Sequence, residues 1–193
     1  MNSFLFYFNW GWEHIISRDA LDHQLFIAAL MAVYVAKDWK RVLILVTAFT
    51  MGHSLTLALS VLDWIRFNSD WVEFLIPATI VVTCLINLRR LTPSRDQRIL
   101  QYGLAGSFGL IHGMGYANNI RFALADDEQL AVNLLGFNLG LEVGQLVVVL
   151  LLMALSVLFV DRLRVARRDW ALFLSAAVFS VALMITLQRI PVD

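Results

Sequence analysis

The residues of this chain with chemistry to offer are histidines and carboxylates set in or beside long apolar runs. His23 follows Asp22 at the start of one run. His53 sits in Thr50-Met51-Gly52-His53-Ser54, within a second, and His112 in Phe108-Gly109-Leu110-Ile111-His112-Gly113, within a third. A later run carries Glu142, in Phe137-Asn138-Leu139-Gly140-Leu141-Glu142-Val143-Gly144-Gln145. An ionisable group in hydrocarbon is costly, so such residues face a bundle interior and find partners there. Four on separate segments point to one shared polar site, and imidazole with carboxylate is the donor set of a divalent transition-metal centre. Each also has a plainer reading. His14, in the aromatic segment before the first run, can be an idle interfacial side chain. Asp22 can cap a helix N-terminus. His53 and His112 can make interhelical hydrogen bonds, and Glu142 can bond Asn138 or Gln145 of its own helix.

Membrane-crossing helices must position these groups. The chain has 193 residues, 60% of them hydrophobic and 16% charged, with a mean hydropathy of +0.72. A soluble domain is nearer half apolar and one quarter charged. The expectation is an all-α, polytopic membrane bundle forming a single domain over residues 1–193. Spans need about 20 mainly apolar residues, and six are read: roughly 20–36, 42–62, 71–88, 99–118, 131–160 and 169–187. Residues 1–17 hold Phe4, Phe6, Tyr7, Phe8, Trp10 and Trp12 around Gly11. They read as a helix lying in the interface and folded against the bundle. With no basic stretch and no small-residue cleavage site, this segment reads as mature chain and not as a signal peptide. Zero net charge gives no reason to expect a nucleic-acid partner. The single cysteine, Cys84, excludes a disulfide or thiolate cluster within one chain.

Eleven of the fifteen Lys and Arg residues fall after spans one, three and five: Lys37, Lys40, Arg41; Arg89, Arg90, Arg95, Arg98; Arg162, Arg164, Arg167, Arg168. Basic loops stay in the cytoplasm, so both termini are expected outside, along with Arg18, Arg66, Arg121, Arg189 and the acidic Asp126-Asp127-Glu128. At 1.5 Å per residue, His53 and Glu142 each lie roughly 16 Å and His112 roughly 20 Å from their points of entry. With Asp22, His23 and Glu73 at the outer mouths, the groups converge between midplane and outer surface. Asn138, Glu142 and Gln145 share a helix face, and Thr47, Thr50 and Ser54 form a stripe beside His53. Gly136, Gly140 and Gly144, and separately Gly109 and Gly113, have the small-residue spacing that lets helices approach closely in lipid. The expected supporting groups around the metal are Thr50, Ser54, Asn138, Gln145 and Glu73.

On these stretches, the chain resembles the HupE/UreJ family of bacterial membrane proteins, in its short form with an aromatic N-terminus. Gly11-Trp12-Glu13-His14-Ile15, Asp22-His23-Gln24-Leu25-Phe26, Phe49 to Leu57, Val72 to Pro77, Phe108 to Gly115 and Phe137 to Glu142 carry the likeness, in that order and over most of the chain. Seven residues separate His14 from Asp22, where better-known members have five. The resemblance implies a nickel or cobalt permease of the bacterial inner membrane, linked to hydrogenase and urease maturation. It implies metal-site roles for His14, Asp22, His23, His53, His112 and Glu142.

Three functions remain open at this stage. The first is a permease for a divalent transition metal (zinc, nickel or cobalt), which needs a path on both sides of its site. The inner half offers only Tyr34, Thr47, Thr83, Asn87, Gln101, Tyr102, Ser107 and Ser156, and no charge. The second is an intramembrane metal-dependent hydrolase opening outward, with Glu142 or Asp22 as general base and Ser54 donating to a developing oxyanion. The third is a metal-binding accessory subunit. The bilayer and a metal ion are expected partners, and a homo-oligomer or membrane-complex partner stays open.

Overall fold

The computed structural model describes residues 3–17, 20–89, 95–124 and 129–191, with the backbone course alone at 95–98, 100 and 118–124. Of the topology argument, Arg18, Arg90 and Asp126-Asp127-Glu128 fall outside the described residues. All regular structure among the described residues is helical: α1 Ser3–Ile16, α2 Leu21–Met31, a 3-10 turn Ala36–Asp38, α3 Trp39–Val61, α4 Ser69–Arg89, α5 Arg95–Leu124, α6 Leu130–Ser156 running on as a π turn Val157–Arg162, and α7 Arg167–Gln188.

Four segments are long and apolar enough to cross a membrane: Ala36–Val61, Ser69–Arg89, Leu130–Arg162 and Arg167–Gln188. Their outward faces carry Ile44, Met51, Leu55, Leu150, Leu151, Phe173 and Met184, as lipid contact requires and water would not favour. The fold is that of a multi-pass membrane bundle.

The first expected span differs from its reading. The apolar run from residue 20 to 36 forms only eleven helical residues, α2, which cover about 16 Å. The chain leaves the helix after Met31 and is extended at Val35. Two contacts fix this exit. The Tyr34 hydroxyl donates to Gln101 Oε1 of α5, and the Val35 N–H donates to the Asp38 carboxylate.

The N-terminal helix differs too. It is folded against the bundle, but it runs alongside α6 and does not lie across it. Gly136, Gly140 and Gly144 face Phe4, Phe8 and Trp12 with Ile15 in turn, so α1 and α6 are parallel. The glycines make this possible: a Cβ on Gly140 would strike the Phe8 carbonyl, and one on Gly11 the Phe137 carbonyl. A second parallel pair is α3 with α5, where Gly109 sits on the Phe49 carbonyl and Gly52 on that of Gly106. The close approach that the glycine spacing suggested is therefore made by both stripes.

α1 and α2 follow each other along α6 as two short helices with a break near Ser17–Ala20. Helix ends leave carbonyls without partners, which hydrocarbon does not tolerate. Gln24 of α2 supplies the missing donor: its amide Nε2 lies 3.0, 3.4 and 3.1 Å from the carbonyl oxygens of Ile15, Ile16 and Ser17. Two apolar clusters flank this level. One joins Tyr7, Ile15, Leu57, Phe137 and Leu141; the other joins Phe26, Phe49, Ile80, Phe108 and Val149.

Candidate metal centre

The break between α1 and α2 brings His14 and the Asp22-His23 pair together from its two sides. His14 and His23 have ring centroids 4.9 Å apart. His53 of α3 lies 5.9 Å from His23 and 6.4 Å from His14. His112 of α5 lies 4.9 Å from His23. Four imidazoles from four helices thus gather in one place. One ring nitrogen each from His14, His23 and His53 lie within 4.8 Å of one another, a group that could hold a metal ion.

Hydrogen-bond accounting sharpens this. Nε2 of His14, Nε2 of His23 and both ring nitrogens of His53 and His112 are buried without a partner. His53 is 0% and His112 1% exposed. Buried polar groups are almost always bonded, and leaving one bare costs roughly 1–3 kcal/mol. A neutral imidazole carries one N–H and one lone pair, so the four rings offer four lone pairs to a ligand, and neutral imidazole nitrogen suits zinc, nickel or cobalt. Two bonds of about 2.1 Å bridge nitrogens at most about 4.2 Å apart, so any pair of the trio beyond that separation must draw in to grip one ion.

Asp22 lines a chamber beside these rings and is bonded to its neighbour. Its Oδ1 takes the His23 backbone N–H at 2.8 Å and lies 2.9 Å from His23 Nδ1. With the Nδ1 proton held there, the Nε2 lone pair of His23 is the one turned to the cavity. A carboxylate behind a histidine is the usual device for fixing the tautomer and orientation of a metal ligand.

The chamber has a volume of about 250 Å³ and is lined by His14, Asp22, His23, Glu73, Ile76, His112, Gly115, Tyr116 and Arg189. Glu73 and Arg189 are exposed and mark its mouth. Sequence reading missed Tyr116, whose ring lies 3.9 Å from that of His14. Its signal was present: it follows His112 by four residues on one helix face. Arg189 and Gln24 had no comparable signal.

Glu142 lies elsewhere. It accepts a hydrogen bond from Thr47 at 3.0 Å and lines a larger groove of about 740 Å³ with Thr50, Ser54, Asn138, Met51, Leu55, Leu135 and Leu139. Thr50 Oγ1 is 2.9 Å from Gln145 Oε1, Ser54 donates to the Thr50 carbonyl, and the Asn138 amide donates to the Leu134 carbonyl. Of the expected supporting groups, only Glu73 borders the histidine chamber; Thr50, Ser54 and Asn138 line the groove with Glu142, and Gln145 turns to Thr50. Helical geometry explains the division, because Thr47, Thr50 and Ser54 share one α3 face and His53 projects from the next.

Below the chamber the packing closes. The rings of Phe26 and Phe49 lie 5.4 and 5.1 Å from that of His112 and 4.9 Å from each other, and Phe108 packs on Phe26 at 5.6 Å. Beyond them lies a pocket of about 10 Å³, lined by Leu30, Thr83, Ile86, Asn87, Gln101 and Leu104. Asn87 donates to the Ala29 carbonyl and Thr83 to that of Thr79.

Residues 1–189 match the family described as HupE / UreJ protein, and the chain belongs to that family. No curated protein and no solved structure matches it.

Proposed function

We propose that this HupE/UreJ protein captures a divalent transition metal at His14, His23, His53 and His112 and passes it across the membrane, nickel or cobalt being the cargo its family suggests. The observation that carries the reading is the gathering of four imidazoles whose ring nitrogens (Nε2 of His14 and His23, both of His53 and His112) are buried without a partner. Asp22 sets the tautomer of His23, and Tyr116 packs on His14. Glu73 brings a negative charge to the mouth, where it attracts cations.

Two features support passage over simple storage. Discontinuous helices at mid-depth are a recurring part of transporter binding sites, and α1 with α2 has that form. The chamber and the small pocket are also stacked. From His23 to Leu30 on α2, Ile76 to Thr83 on α4 and His112 to Leu104 on α5, the step is about 11 Å. Phe26, Ile80 and Phe108 stand midway on those same helices and are buried. They form an apolar plug between the chamber and the small pocket that holds Thr83, Asn87 and Gln101, as expected of a permease open to one side. Thr47 and Ser107 take no part, since Thr47 turns to Glu142 and Ser107 is exposed.

The reading carries six crossings, with α1 and α2 sharing the first and α5 making the fourth. The parallel pairs support this, because α1 with α6 and α3 with α5 then run the same way through the bilayer. With the basic loops in the cytoplasm, the Glu73 mouth and both termini face outward, in the inner membrane of a bacterium. Labelling of a cysteine at residue 93 by an impermeant external reagent would refute that orientation.

A second reading, a metal-dependent hydrolase, draws on the single mouth of the chamber. A bound metal would supply Lewis-acid polarisation, and Glu73 would be the carboxylate free to take a proton. Ser54 and Glu142 drop out of it, because both line the other groove. One experiment separates the readings. Purified protein is analysed for nickel, cobalt and zinc, then placed in liposomes loaded with a metal-sensitive dye. The permease gives bound metal and a flux that His53→Ala abolishes. Bound metal without flux removes the permease and leaves hydrolysis or an accessory role.

A further inference from the structure

The mouth of the histidine chamber carries a group that a bare cation does not explain. Arg189, the residue just after α7, lines the same cavity as His14, His23 and His112. Among the described residues no ion pair involves it; the pairs formed are His23 with Asp22, Arg41 with Asp38 and Arg66 with Asp63. Glu73 lines the cavity too, yet the two are not within ion-pair distance. A guanidinium beside a cation site opposes the ion and favours an anion.

Charge and volume agree on what else the cavity takes. Its formally charged lining is Asp22, Glu73 and Arg189, and its imidazoles must be neutral to bind a metal. Adding a divalent ion leaves one positive charge over. At the chamber's inner end, where His23 and His112 are buried, an uncompensated charge is costly, and one monoanion removes it. The volume of about 250 Å³ also exceeds what one ion needs. It lies below the roughly 300 Å³ at which pockets for drug-sized ligands begin, so the extra occupant is small. Arg189 presents the planar fork that matches a carboxylate or similar oxyanion.

We infer that the chamber takes its metal together with one small monoanionic oxygen ligand, of the carboxylate or bicarbonate class, held by Arg189. This rests on the metal-binding reading above and names the second half of the cargo. It also assigns Arg189 a specificity role that neither its place at a helix end nor its exposure would suggest.

The test uses the full chain in detergent at fixed pH, with cobalt(II) as metal probe and its visible absorption as readout. Acetate, bicarbonate and inorganic phosphate are titrated separately, against chloride at equal ionic strength. In the wild type, acetate or bicarbonate is expected to change the cobalt spectrum saturably. Arg189→Gln is expected to weaken that anion by about tenfold or more, with Arg189→Lys between, while cobalt affinity without anion holds or rises, because the opposing charge is gone. A spectrum blind to every anion, an anion effect equal in Arg189→Gln, or a response to phosphate alone overturns the inference. Absence of any cobalt binding instead overturns the metal reading beneath it, so the two failures are distinct.

Discussion

On one face of α3, His53 meets His14 and His23; on the neighbouring face, Thr47 and Thr50 meet Glu142 and Gln145 of α6. Both regions place polar groups in a bundle that lipid surrounds, and from sequence both read as parts of one site. They differ in what their hydrogen bonds leave over. Around the histidines, six ring nitrogens have no partner. Around Glu142, the hydroxyls and amide groups mostly answer each other or a carbonyl one turn back, with Asn138 Oδ1 the unanswered atom. The first region leaves bonding capacity unmet, and the proposed metal would use it. The second completes itself and ties α3 to α6, as interhelical polar pairs do in membranes. Type and depth of a residue therefore do not identify a ligand; its unmet bonding capacity does.

The largest expected effect tests the scaffold that both regions share. α1 reaches the centre only because Gly140 lets its backbone lie on α6. Gly140→Val would drive a side chain into the Phe8 carbonyl and is expected to cost several kcal/mol, enough to prevent recovery of folded protein. Gly103→Ala is the control, since a Cβ there meets nothing within 4 Å. Thermal unfolding in detergent measures both. Equal melting temperatures would mean that α1 is not held in the way described.

Next comes the comparison itself. His53→Ala removes a donor from the histidine cluster and is expected to weaken metal binding by more than about 100-fold. Glu142→Gln, in the self-bonded groove, is expected to change it by less than about threefold and to cost about 1 kcal/mol of stability. Isothermal titration with cobalt reads the affinities. A Glu142→Gln loss as large as that of His53→Ala would merge the two regions again. Acidification is expected to release the metal, because protons compete for the same imidazole nitrogens; the wild type should bind progressively less as pH falls.

Much of the candidate centre was legible because physics singles out its residues. His53 and His112 stand in apolar runs where a bare imidazole is expensive, and Asp22-His23 opens another. The glycine stripes announced close packing, though not which helix would fill each groove. What failed to show was whatever depends on remote contacts. The apolar run to residue 36 gives no sign that its helix ends at Met31, because the tie that draws Tyr34 away comes from Gln101, far along the chain. Glu142 speaks the same chemical language as a ligand, and only its bond to Thr47 assigns it to a helix contact. The break between α1 and α2 read as an interfacial helix followed by a span, since aromatic residues favour interfaces and helix packing alike.

The smallest effect probes how that break serves the centre. Gln24 bonds the carbonyl ends of α1 from within α2, so it sets the spacing of His14 against His23. Gln24→Met keeps the length and removes the donor. A lost hydrogen bond alone costs about 1 kcal/mol of stability. A misplaced ligand costs about tenfold in metal affinity as well. The two roles separate in a double-mutant cycle. In the wild-type background, Gln24→Met is expected to weaken cobalt binding about tenfold. In a His14→Ala background, where there is no α1 ligand left to position, it should add less than about twofold. Equal losses in both backgrounds would make Gln24 a fold contact only. A loss that disappears with His14 would mean that the two short helices reach their working geometry through one side chain, and that the metal, by gripping His14 and His23 at once, closes the same joint from the other side.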